Sequence, residues 1–161
     1  MSSRNFHRYR RAAFAALGIL LIAGCSGGTP GAATGGAPAA EAGGARVENA
    51  WVRPVEPGQG TAAYFTLVNE SADSLVLVGV NVPATEMSMM HETVKDSAGM
   101  MRMQEVERFA VAPNGKLEFS PGGNHVMAMQ AFVALAEGDT TGLELRFADG
   151  RLLHVTANVH P

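Results

Sequence analysis

Residues 142–159 read GLELRF, then ADGR, then LLHVTANV. Two β-rich runs flank Asp149-Gly150, a residue pair favoured in two-residue hairpin turns, so the stretch predicts strands over Gly142–Phe147 and Leu152–Val159. The same grammar extends backwards. Val47–Arg53, Ala62–Asn69, Ser74–Val82, Glu86–Val94, Met101–Val106, Lys116–Ser120 and His125–Phe132 each read as a strand of ordinary length. Asn114-Gly115 is a second hairpin-type pair, and Pro121-Gly122-Gly123 and Glu137-Gly138-Asp139 are further breaks. Helical periodicity is hard to find after Arg46. Strands spaced at roughly 8–12 residues without helices between them predict an all-β fold, a Greek-key sandwich or barrel.

The chain before this region is built differently. Arg4, Arg8, Arg10 and Arg11 precede an apolar stretch from Phe14 to Ala23, which is too short to span a bilayer and has the length of a signal h-region. It ends in Leu21-Ile22-Ala23-Gly24-Cys25, which resembles the bacterial lipobox. Residues 1–24 are therefore expected to be a lipoprotein signal peptide, with Cys25 the lipidated residue. Arg10-Arg11 hints at twin-arginine export, but the surrounding residues fit ordinary export better. Residues 25–45 are then a lipidated Cys and a tether of Gly, Ala, Pro, Thr and Ser, whose coil span is roughly 25 Å. Residues 46–161 form the domain. The expected address is extracytoplasmic, on a bacterial membrane through a lipid anchor; several acyl chains at about 0.8 kcal/mol per buried methylene hold durably.

Cys25 is the only cysteine, so the domain is expected to lack disulfides, thiolate zinc sites, blue-copper sites and cysteine nucleophiles. Four of the twelve Lys+Arg lie in the leader, leaving eight against fifteen Asp+Glu, a net charge of −7. So acidic a mature chain argues against nucleic acid and anionic lipid as partners, and favours a cationic ligand or a basic protein.

Eight of the nine methionines fall between Met87 and Met129, with two of the five histidines among them. The segments are EMSMMHE, MMRM and PGGNHVMAM. Residues two apart on a strand share a face, which places Met87, Met89 and His91 together, Met101 and Met103 together, and His125, Met127 and Met129 together; Met90 and Met100 point the other way. Methionine fills core gaps readily, and core packing is the ordinary explanation for any one of these residues. The whole set, with a His closing two of the three patches, points instead to a site. Thioether sulfur with imidazole nitrogen suits a soft ion, copper(I) first. His154, in an apolar strand without Met neighbours, and His160, next to last and expected to fray, read as bystanders.

His91, Met103, Pro121-Gly122-Gly123, His125 and Met127 resemble the signature of the periplasmic copper chaperones called PCuAC, H-x10-M-x21-H-x-M. Ala50-Trp51-Val52-Arg53, Ala62-Ala63-Tyr64-Phe65, Val68-Asn69 and Glu137-Gly138-Asp139 also fall where that family places similar segments. Met103 to His125 has the family's 21 intervening residues, whereas His91 to Met103 has 11 rather than 10, an extra residue that a turn around Ser97-Ala98-Gly99 would absorb. The resemblance implies a cupredoxin-like β-barrel that binds one copper(I) through His91, Met103, His125 and Met127. It also implies transfer toward the dinuclear copper centre of cytochrome oxidase, directly or through a thiol-bearing partner. Thioethers do not titrate and cannot be lost to disulfides in an oxidising compartment, whereas imidazole must be neutral to bind, so acid should weaken the site. No Ser-His-acid or paired-carboxylate constellation stands out, and the expectation is a protein that is not an enzyme. A metal-independent interaction module with an adaptable Met-rich surface is the alternative.

Overall fold

The computed structural model describes residues 40–161, among which there are strands and turns but no helix. The leader, Cys25 and the tether up to residue 39 lie outside the described residues. Eleven strands form: β1 Ala40–Ala42, β2 Ala45–Val52, β3 Thr61–Asn69, β4 Leu75–Asn81, β5 Thr85–Lys95, β6 Met101–Glu105, β7 Phe109–Val111, β8 Lys116–Phe119, β9 His125–Ala131, β10 Thr140–Phe147 and β11 Leu152–Val159. The fold is all-β, as the strand spacing predicts, and of the cupredoxin-like kind that the family resemblance implies.

The ladder order is β6-β5-β9-β3-β2-β11-β10-β4-β7, with β1 on β2 and β8 on β3. All pairs are antiparallel except β11 with β2. β4 and β5 stand near opposite ends of this order, yet only the three residues 82–84 connect them. The sheet must therefore curl until its ends approach. Its interior holds Phe65, Leu67, Leu77, Leu143, Leu145, Phe147, Val52, Val126 and Val159, all essentially without exposure. Each contributes about 1.5–3 kcal/mol by leaving water. Phe65 and Phe119 stack with ring centroids 4.4 Å apart, and Phe109 meets Phe119 edge-on at 5.3 Å.

Three departures from the sequence reading have local causes. Ala40–Ala42, expected to be the end of the tether, pairs with β2 instead. Gly43 and Gly44 both take positive φ, +55° and +82°, so they supply the two-residue turn that joins these strands. The tether's composition hid a Gly-Gly turn. The second departure is Asn114-Gly115, which is no hairpin: β7 pairs with β4 and β8 with β3, so this turn carries the chain across the barrel. Asn69, fully buried at the end of β3, fastens the crossing. Its amide donates to the carbonyls of Asp73, Val111 and Ala112, and its oxygen accepts from the backbone N–H and hydroxyl of Ser71. Emptying that position would strand the buried Val111 carbonyl at about 1–3 kcal/mol and release the other two contacts. The third is His160, which is not frayed. Its ring stacks on Trp51 at 4.4 Å and 18°, and its backbone N–H donates to Val52.

Asp149-Gly150 does join paired strands, but through three loop residues rather than two: Phe147 N–H bonds Arg151 O, and Gly150, at φ +86°, closes the turn onto Phe147 O. The β5–β6 connection repeats this design. Asp96 N–H bonds Met100 O, Gly99 N–H bonds Asp96 O, and Gly99 sits at φ +82°. The loop is Ser97-Ala98-Gly99, where the extra residue was expected.

Candidate metal site

β5 and β9 lie side by side, and their register decides which side chains meet. His91 stands opposite His125, Met89 opposite Met127, and Met87 opposite Met129. Directly paired residues share a face, with Cβ atoms about 4.5–5.5 Å apart. On the other edge of β5, Thr93 faces Met103 and Lys95 faces Met101, so the β6 methionines join the same face. The three patches expected from period-two counting are one continuous outer surface. Met90 points to the opposite side and is buried in the core. Met100 lies in the turn before β6 and is exposed.

The imidazoles of His91 and His125 have centroids 5.6 Å apart at an interplanar angle of 53°. His125 is buried, and its Nδ1 lies 3.1 Å from the carbonyl oxygen of Gly123. A carbonyl only accepts, so Nδ1 carries the proton and Nε2 keeps its lone pair for a ligand. Pro121-Gly122-Gly123 makes this possible: Gly122 adopts φ +83° and the turn closes with Gly123 N–H on Ser120 O, which leaves the Gly123 carbonyl within reach of Nδ1. His91 presents the complementary feature. Its Nδ1 is buried and has no hydrogen-bond partner. An orphaned buried nitrogen beside a second imidazole with a free lone pair suits a metal ion.

Met103, His125 and Met127 line one open cavity of about 500 Å³, together with Arg53, Pro54, Thr61, Tyr64 and Met129. His91 flanks His125 but is not part of that lining. Met101 is also absent from it, although Met101 and Met103 are similarly exposed. Among the described residues, no three His, Cys, Asp or Glu side chains gather as a metal-binding group, so the donors this surface offers are two imidazoles and thioethers. The opposite wall was not anticipated as part of the site. Thr61 donates to the Arg53 carbonyl at 2.8 Å, and buried Tyr64 packs on Trp51 at 4.4 Å. Arg53 and Tyr64 both sit in segments that carry the family resemblance, and that was the available signal.

The turn that places β6 is held by one carboxylate. Asp96 accepts from the backbone N–H groups of Met100 and Ala98, both at 2.9 Å, and from Arg102 Nε at 3.0 Å. These bonds, that from Met100 foremost, hold the Asp96 carboxyl below the usual carboxylate range.

The fold is that of the PCuAC-type, cupredoxin-like domains. The sequence profile of the LpqE-like family matches residues 45–159, and the chain belongs to that family. Copper(I)-bound DR1885 from Deinococcus radiodurans is 37% identical, superposes with a TM-score of 0.55, and the match covers 68% of this chain and 74% of that one. The apo PCuAC domain of PmoF1 superposes with a TM-score of 0.65 at 22% identity, covering 76% of this chain and 98% of that domain, a likeness of fold. The uncharacterized protein RP573 of Rickettsia prowazekii (strain Madrid E) is 32% identical over 104 residues, 62% of this chain, and the match spans 57% of that relative's length.

Proposed function

We propose that this protein is an extracytoplasmic copper(I) chaperone whose single tight site is His91, Met103, His125 and Met127. The observation that carries the reading is the directly paired His91 and His125, one with an orphaned buried Nδ1 and the other with Nδ1 committed to Gly123. Neutral imidazoles supply affinity, and Met103 and Met127 supply thioethers that favour copper(I) over harder ions. An open cavity lets the ion enter and leave. The similarity to copper(I)-bound DR1885 supports copper as the cargo. The acceptor in this reading is the dinuclear copper centre of cytochrome oxidase or a thiol protein that serves it, and Cys25 carries a lipid that keeps the domain at the membrane.

Copper(I) competition against a chromophoric chelator tests the cargo: the full chain takes up one tightly held equivalent, and a chain that leaves the chelator undisturbed refutes the reading. Mixing the loaded protein with an apo dinuclear-copper domain tests delivery, read as the appearance of that centre's absorption. Cys25→Ser tests the anchor; it should abolish both leader processing and recovery with membranes, and wild-type protein recovered soluble would defeat that part.

A further inference from the structure

Four methionines of the outer face, Met87, Met89, Met101 and Met129, remain unused by the tight site. Met89 and Met127 form one cross-strand pair and Met87 and Met129 the next, directly below the His91–His125 pair on the same ladder. Two residues of strand advance about 6.6 Å, so each pair is one step from the last. Met87 is half exposed. The Met129 sulfur lies against Gly60: a Cβ there would come within 3.2 Å of Sδ, so the absent side chain leaves the sulfur its place at the cavity wall. Met101, paired with Lys95, is at the far end of the face, about 20 Å along the strand from Met89.

We propose that Met87, Met89 and Met129 form a second, thioether-only site for a soft monovalent cation, copper(I) or silver(I), one ladder step from the His/Met site. Three thioethers without an imidazole or thiolate hold such an ion more weakly than the mixed site does. Met side chains carry three rotatable bonds, which allows sulfurs on neighbouring strands to converge without backbone movement. The ladder then orders the two sites by affinity, with an exposed entrance on thioethers followed by a tighter, more buried seat on imidazole. The inference takes the identity of the ion from the proposed copper reading, but its ligands are separate from that site's four.

Silver(I) is the probe, being a redox-inert soft d10 ion. The full chain, carrying 13C-methyl methionine, is titrated with silver nitrate and followed by methyl NMR, with stoichiometry from non-denaturing mass spectrometry. Two equivalents are expected, the second shifting the methyls of Met87, Met89 and Met129. The Met87→Leu/Met89→Leu/Met129→Leu variant should stop at one equivalent, because Leu keeps the volume and removes the sulfur. Gly60→Ala should weaken the second equivalent by crowding Met129 Sδ. In His91→Ala/His125→Ala, persistence of the Met87, Met89 and Met129 shifts supports the second site whether or not the first equivalent is lost, so the two readings fail separately. A wild type that stops at one equivalent, a triple variant that still takes two, or a second equivalent that moves Met100 and Met101 instead overturns the proposal.

Discussion

The two faces of the β5–β9 pair are made from the same two strands and draw on the same residue type, yet they serve opposite ends. Inward, Met90, Val126 and Ala128 are sealed in the core with exposures of 4%, 0% and 0%. Outward, Met87, Met89, His91, His125, Met127 and Met129 form a ladder of soft donors. Met90 and Met89 are neighbours in sequence, but one is sealed in the core and the other is half-buried on the outer face. A strand turns alternate side chains to opposite faces, so a methionine's meaning here depends on its parity. The composition of the cluster alone does not reveal it.

If the division holds, outer-face changes should alter copper binding without touching stability, and inner-face changes the reverse. The largest effect is expected from His125→Ala with Met127→Leu. Losing a group that merely orients a ligand costs 10–100-fold, so losing two ligands should weaken copper(I) by more than about a hundredfold in chelator competition, with the β-sheet circular dichroism unchanged. Undiminished affinity would sink the site. Next comes Met90→Ala, which should cost about 2–5 kcal/mol in chemical denaturation through the cavity it leaves, while the folded variant still takes up copper. A loss of metal with no loss of stability would break the comparison.

Within the outer face, Met103 and Met101 sharpen it further. Met103→Leu should lower copper(I) affinity about tenfold or more, since Met103 lines the cavity with His125 and Met127. Met101→Leu should change it little, and the opposite ranking would make Met101 the ligand. The smallest effect belongs to the turn. Asp96 has its folded pKa lowered, chiefly by the Met100 N–H, so its stabilisation is complete above the unfolded carboxylate pKa and is lost as pH falls through the folded value. Protection of the β5–β6 hairpin amides, taken relative to their intrinsic exchange rate at each pH, should therefore fall on acidification in the wild type. In Asp96→Asn exchange should be faster at neutral pH, and the protection should lack that acid step. Equal exchange in both proteins at neutral pH would show that the carboxylate does not hold the loop.

Nine of the eleven strands were legible because β-rich runs bounded by Gly, Pro, Asn and Asp are local signals. Two were not. β7 has three residues, too few to show a pattern, and β1 depends on β2 for its pairing and on Gly43-Gly44 for its turn. The site was half legible in the same sense. His91, His125 and the methionines announce themselves by type and spacing, whereas the cavity's far wall of Arg53, Thr61 and Tyr64 comes from β3 and the segment before it and carries no ligand chemistry of its own.

Sequence by itself determined the strand content, the parity that separates Met90 from its neighbours, the soft donor set and a single cysteine. These are properties of a residue and its nearest neighbours along the chain. Tertiary structure alone decided that His91 meets His125 and that Asn114-Gly115 crosses the barrel. It also left one imidazole nitrogen tied to Gly123 and another buried without a partner. Strand register and burial are set by the packing of segments distant in sequence, because only the curled sheet hides the core face and shows the other.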